Sequence, residues 1–235
     1  MSADETPHDV TEIRREIDRV LNATDDDGRV VGNAQYGVYA FYDYDREPIY
    51  VGQTSERLRT RIRRHLTNQR TDAVAMNVLD PFEVAEIEMW PLFDLEGRRA
   101  SDPDVKARLE AAEYTVFQKV LGESKFTAVL NEKEIPDAEE IDLPDSHRDR
   151  IIPDAIYDLR KHADIRIARR ASTIAALARV ISERRVSKGL RRTLLTQARR
   201  LEDLARRRLD EIGGDYPVEE PGEETGEVEA TEGEE

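Results

Sequence analysis

The chain has 235 residues, with 51 Asp and Glu against 36 Lys and Arg and a formal net charge of −15; that length holds one good-sized domain and a smaller one. No apolar run is long enough to span a membrane, the acidic start MSADETPHDV is not expected to be a signal peptide, and zero cysteines exclude disulfides and thiolate metal sites, so a cytoplasmic protein is expected. Of the basic residues 30 are Arg and 6 are Lys, and many carboxylates with arginine preferred over lysine suit a halophilic archaeon, whose salt screens such a surface.

Residues 1–33 begin with a short amphipathic helix over 9–22, with Val10, Ile13, Ile17, Val20 and Leu21 on one side. The turn Asp25-Asp26-Asp27-Gly28 follows it. Residues 34–135 alternate strand and helix signals and form the main domain. Within it Tyr36–Tyr42 and Pro48–Gly52 are β-rich runs around an Asp/Arg/Glu turn, so a hairpin is expected. A four-residue loop, Asp43–Arg46, makes Tyr42 face Glu47 and places Tyr39 opposite Tyr50, two phenols side by side on one sheet surface. Ordinary aromatic pairing in a sheet is the more common reason for such a pair when nothing else is present.

The next segment, SERLRTRIRRHLTNQ, reads as a helix with Leu58, Ile62 and Leu66 on its core stripe. Arg61 and His65 then lie one turn apart along the edge of that stripe, while Arg57, Arg59, Arg63 and Arg64 point further out. A third strand is expected over Phe82–Trp90, where Ala85, Ile87 and Met89 alternate with Glu86 and Glu88. Residues 105–121 read as a helix with Val105, Leu109, Ala112, Val116, Phe117 and Val120 on its apolar arc. Glu113 falls inside that arc, where an ionised carboxylate is costly unless a cation or metal answers it.

Residues 136–146 are rich in Pro, Asp and Glu and read as a linker. Residues 147–212 read as helical throughout, with one seam on Ile167, Ala171, Ile174, Ala178 and Ile181. A second runs through Leu190, Leu194, Ala198, Leu201 and Ala205, and Ser187 is the N-cap between them. Two such helices fold back as an αα-hairpin or pair with a second subunit as a homodimer. Residues 147–208 hold 18 basic residues against 7 acidic ones, a basic block in an otherwise acidic chain. Arg169, Arg170, Arg184, Arg185, Arg191 and Arg192, with Arg63 and Arg64, are the candidate nucleic-acid-binding cations; a merely solvated face is the alternative. Residues 213–235, acidic and rich in Glu and Gly, read as a disordered tail.

Gly37-Val38-Tyr39 and Tyr50-Val51-Gly52, with ten residues between the tyrosines, resemble the two namesake motifs of the GIY-YIG nucleases. The helix after the second motif is similar to the family's arginine helix, where Arg61 matches the catalytic arginine and His65 a histidine found in several members. Glu113-Tyr114-Thr115-Val116-Phe117 resembles the segment that opens on the metal-binding glutamate, and Asn131 is the candidate for the terminal asparagine. The first motif reads GVY, one extra residue separates the second motif from Arg61, and Asn131 lies 18 residues past Glu113 without a preceding Pro-x-Tyr. The resemblance implies an α+β fold, a small three-stranded antiparallel sheet flanked by helices, followed here by the helical C-terminal region. It implies an endonuclease that hydrolyses DNA phosphodiesters with one divalent cation, Mg²⁺ or Mn²⁺, held by Glu113. Arg61 grips the phosphate, Tyr39 is the base or water-positioning phenol, and Tyr50 and His65 complete the hydrogen bonds. A phenol titrating near 10 is a poor base, so nearby cations are expected to lower it. The competing reading is a non-catalytic interaction protein that keeps the fold.

Overall fold

The computed structural model describes residues 8–67, 80–131 and 135–214. Most of the acidic tail expected at 213–235 thus lies outside the described residues. Helix α1, His8–Leu21, buries Ile17, Val20 and Leu21, with Ile13 packed beside them, as its periodicity predicts. Strands β1, Gly37–Tyr42, and β2, Pro48–Thr54, form the expected antiparallel hairpin. Helix α2, Leu58–Thr67, follows it; β3 is Glu86–Pro91 and α3 is Pro103–Glu123. The expected start of β3 at Phe82 is corrected: the Asp80 carboxylate accepts from the Phe82 N–H and caps a 3₁₀ turn over Pro81–Glu83.

Among the described residues the sheet has four strands, not three, in the order β2-β1-β3-β4 with every pair antiparallel. The fourth, β4, is His147–Arg150, a segment expected to be helical. Its sequence HRDR has no apolar residue to signal a strand. Cross-strand charge provides the pairing instead: Arg148 Nε donates to Glu86 Oε2 at 2.7 Å, and its guanidinium lies 3.5 Å above the Tyr42 ring. Residues 135–146 have no regular structure, but Ile135, Ile141 and Leu143 pack on the core between β1 and α3.

Both sheet faces are covered, which is why every residue of β1 is buried. One face carries Tyr39, Phe41, Ile87 and Met89 and packs against α1, α2 and the C-terminal helices; the other carries Val38, Ala40, Val51 and Trp90 against α3. The C-terminal helices are α4, Asp154–Lys161, α5, Ala163–Glu183, and α6, Lys188–Glu211. Ser187 caps α6 by accepting from the Leu190 N–H at 3.2 Å, and α5 and α6 fold back on each other as an αα-hairpin. Among the described residues no helix is long and apolar enough to cross a membrane.

The seams of that hairpin differ from the apolar reading. In α6 the buried positions are Leu190, Thr193, Gln197, Arg200 and Leu204; in α5 they are Arg166, Arg170 and Leu177. Ala171, Ala198 and Ala205, expected in the seams, are exposed. The buried arginines meet acids of the β1–β2 turn and of the segment before β3. Arg170 Nη2 donates to Asp43 Oδ2 at 2.5 Å and its Nε reaches Glu83 Oε2 at 3.4 Å. Arg166 pairs with Asp45 at 2.9 Å, and Arg200 Nη2 donates to the Pro48 and Ala128 carbonyls at 2.9 and 3.0 Å. A buried charge is tolerated when partners answer it this fully, and that rule overrides the apolar periodicity here.

Candidate active site

The β1–β2 turn sets the register of the two tyrosines. Its loop is three residues, Tyr44–Arg46, not four: Asp43 N–H donates to the Glu47 carbonyl and Arg46 N–H to the Asp43 carbonyl, each at 3.0 Å. Arg46 takes the left-handed conformation at φ 63° that such a loop requires, and the Asp43 carboxylate accepts from the Asp45 and Glu47 N–H groups. A further irregularity follows between Phe41 and Tyr42. Tyr39 therefore lies opposite Gly52, and Phe41 opposite Tyr50. The expected direct pair of tyrosines becomes a diagonal one on the same face, with ring centroids 6.2 Å apart.

Gly52 makes the arrangement possible. A Cβ at that position would lie 2.7 Å from Tyr39 Oη and 2.8 Å from Tyr50 Cε1, so only glycine lets both phenols lie across the strand. Gly37 answers a different demand, since a Cβ there would lie 2.8 Å from the Trp90 carbonyl oxygen and 2.9 Å from Leu58 Cδ1.

Helix α2 brings its two polar edge residues to the Tyr39 phenol. Tyr39 Oη and His65 Nε2 share a hydrogen bond at 2.9 Å, and Arg61 Nε donates to Tyr39 Oη at 3.4 Å. The Tyr50 and His65 rings stand 5.2 Å apart by centroid. His65 is 1 % exposed. Burial, then the cations Arg61 and Arg64, hold its imidazole down at about 3, so it is neutral at physiological pH. Its Nδ1 is buried and finds no partner among the described residues. Burial also drives the Tyr39 phenol well above its ordinary range, followed by the neighbouring Tyr50; Arg61 acts in the opposite direction and does not win. The expectation that nearby cations lower this phenol is thus corrected for the free protein.

Glu113 comes from α3, in the layer on the other side of the sheet, and reaches the edge strand β2. There Gln53 Nε2 donates to Glu113 Oε2 at 3.0 Å. Burial pushes the Glu113 carboxyl up to about 7, against the hydrogen bonds from Gln53 and the more distant charge of Arg61. Among the described residues Glu113 has no ion pair, so a cation would relieve a carboxylate that the protein itself leaves uncompensated. No cluster of three or more His, Asp or Glu suited to a metal occurs among the described residues. A single carboxylate completed by water and by the oxygens of a bound phosphate is the donor set that Mg²⁺ accepts, so the residues fit that ion with Glu113 as its one protein ligand. Gln53 was not evident in the sequence; its only signal is that it follows the second motif on the face toward α3.

Asn131 stands apart from this group. Its Nδ2 donates to the Val51 carbonyl at 2.8 Å and its Oδ1 accepts from the Val51 N–H at 3.1 Å, while Leu130 N–H donates to the Ile49 carbonyl. The amide thus acts as one residue of an extra strand along β2, holding the motif backbone between Tyr50 and Gly52.

The eight arginines proposed for nucleic acid divide by environment. Arg170 is buried in the ion cluster and presents no charge to solvent, which corrects its assignment to a binding surface. Arg169 lies 3.7 Å from Glu83, Arg63 pairs with Asp18 at 2.5 Å, and Arg64 with Glu56 at 2.7 Å. Arg184, Arg185, Arg191 and Arg192 are exposed around the turn between α5 and α6.

A phenol, an imidazole and a guanidinium in one hydrogen-bonded group, with a half-buried carboxylate at the sheet edge, form a site suited to holding and polarising an anionic ester. Residues 35–95 match the family model of the GIY-YIG catalytic domain, about a quarter of the chain, and a domain of that kind implies a nuclease-type activity. The match includes Tyr39, Tyr50, Arg61 and His65 and ends before Glu113 and Asn131. No curated protein and no solved structure matches the chain.

Proposed function

We propose that the chain is a metal-dependent endonuclease that hydrolyses DNA phosphodiester bonds at the Tyr39–His65–Arg61–Glu113 group. The observation that carries this reading is the convergence on one phenol of Arg61 and His65, from one helix, beside a half-buried carboxylate from another that has no ion pair among the described residues. A non-catalytic scaffold has no use for a carboxyl group that is desolvated without a cation to answer it. Bound at Glu113, Mg²⁺ would act as a Lewis acid toward the charge that builds on the phosphate.

The chain's own residues supply the rest. Arg61 Nε is anchored on Tyr39, which leaves the terminal nitrogens of its fork for two phosphate oxygens. Tyr39 enters the reaction protonated, so it serves as a relay: Oη takes a proton from the attacking water as its own proton passes to His65 Nε2. The water oxygen forms the new bond to phosphorus, and the bond to the leaving 3′ oxygen breaks, that oxygen keeping the electron pair and taking a proton from solvent. The imidazolium so formed is opposed by burial and by Arg61 and Arg64, and the negative phosphate on Arg61 offsets that cost in the complex. Gln53 orients Glu113, and Asn131 keeps β2 in place.

The test is plasmid nicking across a KCl series, with and without Mg²⁺. The parent is expected to cut only with the metal, and Arg61→Lys, which keeps the charge but loses the fork, to cut about 100-fold or more slowly while still binding DNA. An Arg61→Lys protein that turns over at the parental rate refutes the assignment.

A further inference from the structure

The arginines of the C-terminal helices fall into two sets, one held by acids and carbonyls of the fold and one exposed in a stretch without acids. Arg166, Arg170 and Arg200 are buried on acids and carbonyls; Arg179, Arg206, Arg207 and Arg208 pair with Glu183, Glu202, Asp203 and Asp164. Between Glu183 and Glu202, however, the sequence contains no acid at all. Arg184, Arg185, Lys188, Arg191, Arg192 and Arg199 in that stretch are all exposed.

Their placement is ordered. At 100° per residue, Lys188, Arg191, Arg192 and Arg199 fall within one arc of α6, opposite the arc of Leu190, Thr193, Gln197, Arg200 and Leu204 that faces the core. Arg184 and Arg185 add two exposed cations in the turn before the helix. The stripe from Lys188 to Arg199 is about 16 Å long at 1.5 Å per residue. That length covers roughly five phosphates of one strand at about 3.4 Å each. Like charges three and four residues apart on a helix destabilise it by a few tenths of a kcal/mol each. Elsewhere in these helices most arginines offset such costs with an acid, and the stretch from 184 to 201 contains no acid of its own to do so.

We propose that this outward stripe is the surface that grips the backbone of duplex DNA, by charge and without reading bases, and that the other C-terminal arginines serve the fold. The choice of DNA as partner rests on the nuclease reading above; the stripe itself rests on charge and placement alone. The C-terminal cations expected to bind nucleic acid are thereby revised: Arg169 and Arg170 leave the set, and Lys188 and Arg199 join it.

The experiment uses the full chain and a short duplex oligonucleotide of arbitrary sequence in EDTA, so that binding is measured without cutting. The stripe variant combines Arg184→Gln, Arg185→Gln, Lys188→Gln, Arg191→Gln and Arg199→Gln, all at exposed positions where glutamine keeps helix propensity. The control combines Arg179→Gln and Arg206→Gln, which removes charge from acid-paired sites. The logarithm of parental affinity is expected to fall linearly with the logarithm of salt. The stripe variant is expected to lose roughly 2 to 4 units of that slope, at roughly 0.9 per phosphate, and the control less than one. An unchanged slope in the stripe variant overturns the proposal, and so does an equal loss in the control. A protein that grips DNA with the stripe-dependent slope yet never cuts it with Mg²⁺ supports the stripe and refutes the nuclease reading.

Discussion

Replacing Gly52 with alanine tests the geometry of the site through one methyl group. The added Cβ would lie 2.7 Å from Tyr39 Oη, 2.9 Å from Tyr39 Cζ and 2.8 Å from Tyr50 Cε1. Carbon atoms in contact sit at about 3.5–4.0 Å, so both rings must withdraw by roughly 0.6–1 Å. Tyr39 has little room for that: it is fully buried, with Phe41 at 5.3 Å and His65 at 5.8 Å by ring centroid. Any such movement stretches the 2.9 Å bond to His65 or the 3.4 Å bond from Arg61. Overpacking costs about 1–3 kcal/mol, and exchanging a strand glycine for alanine returns about 0.5–1 kcal/mol. The net loss of stability is therefore expected to be no more than about 2.5 kcal/mol. Catalysis suffers more, because a displacement of about 1 Å at a reacting group costs on the order of 100-fold in rate. Urea unfolding followed through Trp90, the single tryptophan and buried, gives the first quantity; single-turnover cleavage gives the second. Gly37→Ala is the comparison, since its Cβ strikes the Trp90 carbonyl and Leu58 and neither phenol. A folded Gly52→Ala protein that cuts within threefold of the parent refutes the claim that the Tyr39 phenol must sit where it does.

Glu113 and His65 are expected to give opposite pH profiles of stability. The folded Glu113 carboxyl titrates at about 7 instead of 4.5, so the unfolded chain releases that proton first and stability falls as pH rises from about 4.5 to about 7. Glu113→Gln is then expected to raise the melting temperature at pH 8, by up to about 3 kcal/mol of stability, and to leave it unchanged at pH 4. Mg²⁺ is expected to stabilise the parent and not the variant; equal responses to Mg²⁺ remove Glu113 from the metal site. His65 titrates at about 3 instead of 6.5, so its contribution is complete above about 6.5 and is lost as pH falls toward about 3; His65→Gln is expected to flatten that acid limb. Asn131→Ala leaves the N–H and carbonyl of buried Val51 without partners and is expected to cost about 1–3 kcal/mol in urea unfolding. Arg170→Met leaves Asp43 and Glu83 short of a cation and is expected to cost about 3–5 kcal/mol; a loss under about 1 kcal/mol means the cluster has relaxed around the change.

Much of the site was legible because it is written in two short periods. Alternation along β1 places Tyr39 on one face, four-residue spacing places Arg61 and His65 together on α2, and the apolar arc of α3 encloses Glu113. What was not legible depends on contacts between segments far apart in sequence. The register of Tyr39 and Tyr50 turns on Arg46 adopting a left-handed conformation, and the loop DYDRE carries no glycine to announce it. Strand β4 is polar throughout and exists because Glu86 and Glu88 of β3 face Arg148 and Arg150. The arcs of α5 and α6 were misplaced because arginine was counted as a surface residue, whereas Arg166, Arg170 and Arg200 face the sheet.

Those three residues also bear on the preference for arginine over lysine. Arg170 reaches Asp43, Glu83 and the Arg200 carbonyl; Arg166 reaches Asp43, Asp45 and Glu83; Arg200 reaches two carbonyls and lies 3.7 Å from Glu47. Each fork serves several acceptors at once in a fixed plane, and a lysine has one nitrogen with which to do so. Part of the bias toward arginine therefore belongs to the interior, where salt in the surroundings has little influence. The acids of the β1–β2 turn and the cations of α5 and α6 thus form one unit: the turn that fixes the register of Tyr39 is held from residues more than a hundred positions later in the chain. A chain cut before β4 would lose a strand and expose Asp43 and Glu83, so its failure to bind DNA would report unfolding. Substitutions confined to the outward stripe of α6 leave that unit intact, which is why they, and not a truncation, separate the arginines that grip a partner from those that hold the site in place.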